Sequence, residues 1–102
     1  MDPQQQTKPS NISSKGGELI LLKIQTKEGV SFNDKIKALT SYNDKGIFDV
    51  LPEHENFISV IKNKIIIHQV DGKDKEIKID TGVLKVYANE VHIFLGLTDV
   101  NT

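Results

Sequence analysis

The three histidines, His54, His68 and His92, are the side chains of this sequence that titrate near neutral pH, so they are the first candidates for acid–base or metal chemistry. His68 and His92 fall in predicted strands, where they could approach each other with Asp80 or Glu90 as oxygen ligands. Their spacing matches no metal-binding motif, and histidines on neighbouring strands are common without a metal. We therefore expect no metal ligands among them.

Other catalytic arrangements are absent from the sequence. No serine lies in a nucleophile elbow, there is no cysteine, and the glycines stand in strand-bounding turns rather than in a phosphate-binding loop. The neighbouring carboxylates Glu53 and Glu55 have no apolar pocket to tune them. These observations predict no catalytic residue, no cofactor and no enzyme activity.

Composition excludes two further classes. The 102 residues are 37% hydrophobic and carry a net charge of −1, with 13 basic residues, all lysine. Nucleic-acid binders normally concentrate basic residues on one face, and RNA-binding barrels add clustered aromatic side chains; the six per cent of aromatic residues here is scattered. No apolar run approaches the roughly 20 residues of a spanning helix. We expect neither nucleic-acid binding nor direct membrane insertion.

The elements that must position any site are strands. Turn signals recur at roughly ten-residue intervals without a long helical stripe, which predicts an all-β protein, an antiparallel β-sandwich or flattened barrel of about 8–10 short strands. Residues 53–65 also show helical spacing, but the β-branched run at 65–67 favours a strand with a turn near 62–64. The other predicted strands are 18–27, 30–33, 35–42, 47–51, 65–70, 75–80, 83–87 and 90–97.

The ends of the chain differ from this pattern. Residues 1–17 are polar and rich in glutamine, serine, proline and glycine, so we expect a disordered tail. The sandwich domain is predicted to span 18–98, and 99–102 to form a short C-terminal tail.

A series of short motifs suggests a family. Residues 46–54 read GIFDVLPEH. This resembles the N-terminal β-sandwich domain of the epsilon subunit of F-type rotary ATP synthases, where the stretch typically reads G-x-F-G-I-L-P-x-H-x-P-L-I. Residues 22–32, LKIQTKEGVSF, are similar to the family's first strand and its T-P-E-G-x-x-F turn. Residues 82–86, GVLKV, with NEV at 89–91, are similar to its G-G-F-L-E-V…N-x-V-x-V ending. The order and spacing agree over residues 18–97.

The chain also departs from this pattern. Asp49 stands where the family usually has glycine, Asn56 where it has proline after the histidine, and Phe57 where it has leucine. Asp80-Thr81 replaces a serine and a glycine. Family members often carry an acid next to the glycine that matches Gly46, and here that position is Ile47.

The resemblance implies a non-catalytic subunit of the central stalk, which couples the rotor ring to the catalytic head during proton-driven ATP synthesis. Its partners would be the gamma subunit and the polar loops of the rotor ring. It would lie peripherally on the cytoplasmic face of the plasma membrane, or on the matrix or stroma face in an organelle. By resemblance the interface residues are Asn43, Asp44, Lys45, Gly46, Ile47, Pro52, His54 and Phe57.

Two further expectations accompany this reading. The family often appends a helical hairpin that regulates hydrolysis and in some members binds ATP, and this chain ends at Thr102 without one. We therefore expect neither an inhibitory nor a nucleotide-binding role. The alternative to a central-stalk subunit is a generic β-sandwich module that binds a protein or a carbohydrate.

Overall fold

A computed structural model of the chain describes residues 18–96. This part is all β, as predicted, and contains six strands rather than 8–10 short ones. The strands are β1 Ile20–Thr26, β2 Gly29–Asn43, β3 Gly46–Val50, β4 Phe57–Gln69, β5 Asp74–Tyr87 and β6 Glu90–Leu95. The proposed tails at 1–17 and 99–102 lie outside the described residues, and the domain limits stay a prediction. No helix in the described part is long and apolar enough to cross a membrane.

The strands close into a barrel. Their order is β1-β6-β5-β4-β2-β3, and β1 also pairs with β2, so the first five form a closed ring with β3 added on the outer part of β2. All pairs are antiparallel except β1 with β6, which run parallel. Closure protects most strand edges, and β3 remains the edge strand of the described sheet.

The interior follows the period-two pattern of the sequence. Alternate residues of β1 point inward, and Leu84 and Val86 of β5 lie opposite Ile93 and Val91 of β6. Ile77 and Ile79 of β5 are half-buried against the core. Each fully buried aliphatic side chain contributes roughly 1.5–3 kcal/mol of transfer free energy. The buried apolar residues are Ile20, Leu22, Ile24, Ile36, Leu39, Val50, Ile61, Ile65, Ile67, Leu84, Val86, Val91 and Ile93.

The strand count differs because three expected breaks lie inside long strands. The predicted break at 33–34 lies inside β2, where Asn33 and Asp34 pair with Lys23 and Leu22 of β1. The predicted turn near 62–64 is a register shift between Lys62 and Asn63, where Asn63 has a φ of 73° and β4 continues. At the predicted break before Val83, β5 continues through Gly82, which pairs with Leu95. A Cβ on Gly82 would lie 2.6 Å from Leu95 Cδ2 and 3.0 Å from the Phe94 carbonyl oxygen. Glycine is needed there for close strand approach, not for a turn.

Candidate partner interface

The first group of predicted interface residues forms the hairpin between β2 and β3. Asn43 pairs with Gly46, so Asp44 and Lys45 form a two-residue loop. Asn43 Oδ1 accepts a hydrogen bond from the Lys45 N–H at 2.9 Å, and Gly46 has a φ of 118°. The Asp44 side chain is exposed, and its Oδ1 lies 3.5 Å from Lys62 Nζ. Solvent weakens an exposed ion pair of this kind. Ile47 follows and is 63% exposed, so the tip carries both charge and an apolar side chain.

The second group lies in the loop 51–56, here called the histidine loop. The His54 N–H donates to the Leu51 carbonyl oxygen at 3.1 Å, which closes a four-residue turn. Pro52 occupies its second position, and Glu53, with a φ of 66°, its third, as in a type II turn. His54 Nδ1 lies 2.8 Å from the Glu55 carbonyl oxygen, so this nitrogen carries the proton and donates. That bond fixes the orientation of the ring.

The histidine loop is tied to the turn between β5 and β6. Oδ1 of Asn89 accepts from the Glu53 N–H at 2.5 Å, and Oδ1 of Asn56 accepts from the Ala88 N–H at 3.3 Å. Ala88 and Asn89 have φ values of 51° and 64°, as a type I′ hairpin requires. Asn56 therefore makes a bond that the family's usual proline could not make. The two reciprocal bonds hold the loop against the barrel.

Phe57 connects the histidine loop to the core. It is half-buried and packs against the core residues, with its ring centroid 5.0 Å from that of His54. Its ring also meets Phe48 of β3 edge to face at 5.9 Å. Asn43 Nδ2 donates to Ser59 Oγ at 3.2 Å, on the same strand as Phe57. The structure thus brings the two predicted groups onto adjacent elements at one end of the molecule.

Sequence reasoning missed a third surface, the apolar outer face, made of Ile58, Val60, Val83 and Phe94. Ile58 and Val60 are 68% and 61% exposed on β4, pointing away from the core. Val60 lies opposite Val83, which lies opposite Phe94 on β6. Val83 and Phe94 are half-buried, and a contiguous apolar surface of this kind is a candidate interaction site. The signal was present in the sequence: once residues 57–61 are read with period two, Ile58 and Val60 must face outward.

A basic row runs beside the apolar outer face. Lys23, His92 and Lys85 are cross-strand neighbours on β1, β6 and β5, and Ile58 lies opposite Lys85. His92 Nε2 is 3.3 Å from Glu90 Oε1. A shallow groove here is lined by Lys85, Tyr87, Glu90 and His92. The combination suits a partner that presents apolar side chains flanked by acidic ones.

The histidines do not assemble a metal centre in the described part of the chain. His54 contacts Phe57, His68 contacts Thr40 and Asp74, and His92 contacts Glu90. No three histidine, aspartate or glutamate side chains among residues 18–96 come together as metal ligands.

The fold is that of a small all-β domain, a barrel with a loop held by hydrogen bonds and an apolar outer face. The protein-family model described as "ATP synthase, Delta/Epsilon chain, beta-sandwich domain" matches residues 19–96, so the chain belongs to this family. Similar curated proteins are named ATP synthase epsilon chain. The one from Sulfurovum is 37% identical over 68% of this chain and 55% of its own length. The one from Clostridium botulinum (strain Eklund 17B) is 33% identical over 76% of this chain and 58% of its own length. The chain thus spans little more than half of these relatives.

Solved structures share the fold. A chain in the cryo-EM structure of Euglena gracilis mitochondrial ATP synthase (OSCP/F1/c-ring) matches with a TM-score of 0.72 and 19% identity, over 86% of this chain and 58% of that one. A chain in the structure of the central stalk and c-ring of Tetrahymena thermophila mitochondrial ATP synthase matches with a TM-score of 0.63 and 14% identity. The match covers 74% of this chain and 62% of that one.

Proposed function

We propose that this chain is the epsilon-type subunit of the central stalk of a rotary ATP synthase, where it couples the rotor ring to the catalytic head without taking part in catalysis. Its family membership and the names of its relatives support this role. The chain would be a peripheral part of a membrane complex, on the cytoplasmic face of a plasma membrane or the equivalent face of an organelle membrane.

The observation that carries the proposal is the apolar outer face. It begins at Ile58, directly after the histidine loop and Phe57, so the predicted and the newly found surface residues are continuous along β4. A gamma subunit would cover this face and the histidine loop. Ile58 and Val60 would supply apolar contact area, while Lys23 and Lys85 would meet acidic groups.

The hairpin at residues 43–47 would face the rotor ring. The turn at Asn43–Ile47 offers Asp44 and Lys45 to polar loops, and exposed Ile47 replaces the acid that the family often has. The barrel would transmit torque because its core is closely packed and the histidine loop is fixed by two hydrogen bonds.

Binding of this chain to the purified gamma subunit of the same organism tests the proposal. Val60→Asp should weaken binding by about tenfold or more, since it places an uncompensated charge in an apolar contact. Val70→Asp is the matched control, because Val70 is 56% exposed beyond the other end of β4. Equal affinity of both variants and the wild type would remove the apolar outer face from the interface. No binding by the wild type would contradict the stalk role.

A further inference from the structure

Four strands are joined by a series of side-chain hydrogen bonds, here called the polar chain. Thr40 Oγ1 of β2 lies 2.7 Å from Oδ1 of Asp49 on β3 and 2.8 Å from Nε2 of His68 on β4. His68 Nδ1 lies 2.9 Å from Oδ1 of Asp74 on β5. Thr40 is only 6% exposed, so its hydroxyl depends on these neighbours for hydrogen bonding.

The number of protons available decides which of these bonds can coexist. Both carboxylates accept only, and the threonine hydroxyl has a single proton. If that proton goes to Asp49, the bond between Thr40 and His68 requires an N–H at Nε2 of His68. The bond to Asp74 requires an N–H at Nδ1 as well. All three bonds therefore form together only when the imidazole of His68 carries both protons.

Loss of one imidazole proton breaks this arrangement. Asp74 can only accept, so it favours the neutral tautomer that keeps the proton on Nδ1, and the lone pair of Nε2 then faces Thr40 Oγ1. The hydroxyl proton can then satisfy either Nε2 or Asp49, but not both. One bond of the polar chain is lost, and it is the bond to Asp49 whenever the hydroxyl turns to His68. The other tautomer would keep the bond from Thr40 to Asp49 and lose the bond to Asp74.

The groups that face His68 come from every strand packed against it. On β2 its facing neighbours, Ala38 and Thr40, are uncharged, and exposed Lys37 occupies the bulge beside them. From β3 and β5 it meets the carboxylates of Asp49, through Thr40, and of Asp74. Further along the same face, Glu76 is engaged by Lys64 at 2.8 Å, and Lys78 lies opposite Lys64. The two nearest charges are thus negative.

The polar chain holds β3, the strand that connects the two groups of predicted interface residues. In the described sheet β3 pairs only with β2, and the bond from Thr40 to Asp49 ties it to the barrel by side chains. β3 connects the turn at Asn43–Ile47 to the histidine loop. We propose that His68 is a pH-dependent latch: its doubly protonated form fastens β3 through Thr40 and Asp49, and in its neutral form Nε2 competes with Asp49 for the single hydroxyl proton and loosens that tie. The family's usual glycine at position 49 would offer no acceptor, so the latch belongs to this chain's own sequence.

An NMR titration of the full chain between about pH 5 and 8 tests the latch, because histidines titrate in this range. The ¹⁵N shifts of the His68 ring report its protonation, while amide hydrogen exchange, corrected for the intrinsic rate at each pH, reports the attachment of β3. Protection of the β3 amides should fall by about three- to tenfold as His68 loses its proton, as expected for one hydrogen bond. Amides of β6 should show no such change.

Two variants isolate the mechanism. Thr40→Val keeps the branched shape and removes the hydroxyl, and Asp49→Ala removes the acceptor at an exposed position, so one remains informative if the other fails to fold. In each, protection of β3 should no longer depend on the protonation of His68. His92→Gln is the control, since His92 contacts Glu90 on the outer face and should leave the pH dependence intact. Protection that does not change in the wild type, or that changes equally in Asp49→Ala, overturns the proposal.

Discussion

The backbone N–H of Glu53 donates a hydrogen bond of 2.5 Å to the side chain of Asn89, 36 residues away. Asn89 also accepts the Leu21 N–H at its own carbonyl oxygen, at 3.0 Å. One residue in a hairpin turn thus holds both the histidine loop and the start of β1. The order of the proposed interface therefore depends on a residue outside it.

Asn89→Gly tests that dependence. Glycine tolerates the φ of 64°, so the turn should form, while the acceptor for Glu53 is lost. We expect the free energy of unfolding to fall by about 1 kcal/mol and the Glu53 amide to exchange faster. Ala88→Gly is the control, because it keeps both bonds to the histidine loop and relieves a left-handed alanine. Equal exchange at Glu53 in the two variants would contradict the role of Asn89.

Glu53→Gly should make the protein more stable. Glu53 has a φ of 66° at the third position of its turn, where a side chain is strained and glycine is not. The substitution keeps the N–H that bonds Asn89. We expect the free energy of unfolding, measured by urea denaturation, to rise by about 0.5–1 kcal/mol. This is the strain relieved at residue 53 minus the cost of the greater flexibility of glycine in the unfolded chain. Glu55→Gly, two residues on and without a left-handed backbone, should give no gain.

Gly82→Ala should destabilise the barrel. The new Cβ would stand 3.0 Å from the Phe94 carbonyl oxygen, which belongs to the paired backbone and cannot turn away. We expect the free energy of unfolding, measured by thermal or urea denaturation, to fall by about 1–3 kcal/mol. Gly72→Ala separates steric contact from backbone strain, since Gly72 has a φ of 89° but nothing within 4 Å of its Cβ position. A larger loss at Gly72 than at Gly82 would show that crowding is not the cause.

Local chemistry determined what the sequence could predict. The gaps between the predicted strands 35–42 and 47–51 and between 83–87 and 90–97 are hairpin turns in the structure, where Asn and Gly adopt left-handed backbone. The same residue types also occur at bulges and close approaches, so Asn63 and Gly82 were misread as strand breaks. The parallel closure of β1 on β6 and the polar chain depend on residues far apart in sequence. Neither has a local signal.

Phe57 and Ile58 should separate stability from binding, since they are adjacent but face opposite sides of β4. Phe57 packs against the core, so Phe57→Ala should cost about 2–4 kcal/mol, somewhat less than for a fully buried ring. Ile58→Ala should change stability by only about 0.5 kcal/mol, because Ile58 is exposed, and yet weaken binding to the gamma subunit. The two measurements are the melting temperature of the free domain and the dissociation constant of the complex.

His54→Ala should weaken binding and leave stability nearly unchanged, as expected for Ile58→Ala and in contrast to Phe57→Ala. The His54 ring rests on Phe57 at 5.0 Å and bonds only its own loop, so its loss should leave the barrel within a few degrees of its melting temperature. Its Nε2 atom points away from the Nδ1 bond that fixes the ring and is available to a partner. We therefore expect weaker association with the stalk in a quantitative pull-down at pH 7.5. His92→Ala serves as the comparison, because His92 lies in the basic row beside the apolar outer face. Loss of affinity at His92 but not at His54 would place the partner on the sheet face alone and remove the histidine loop from the interface.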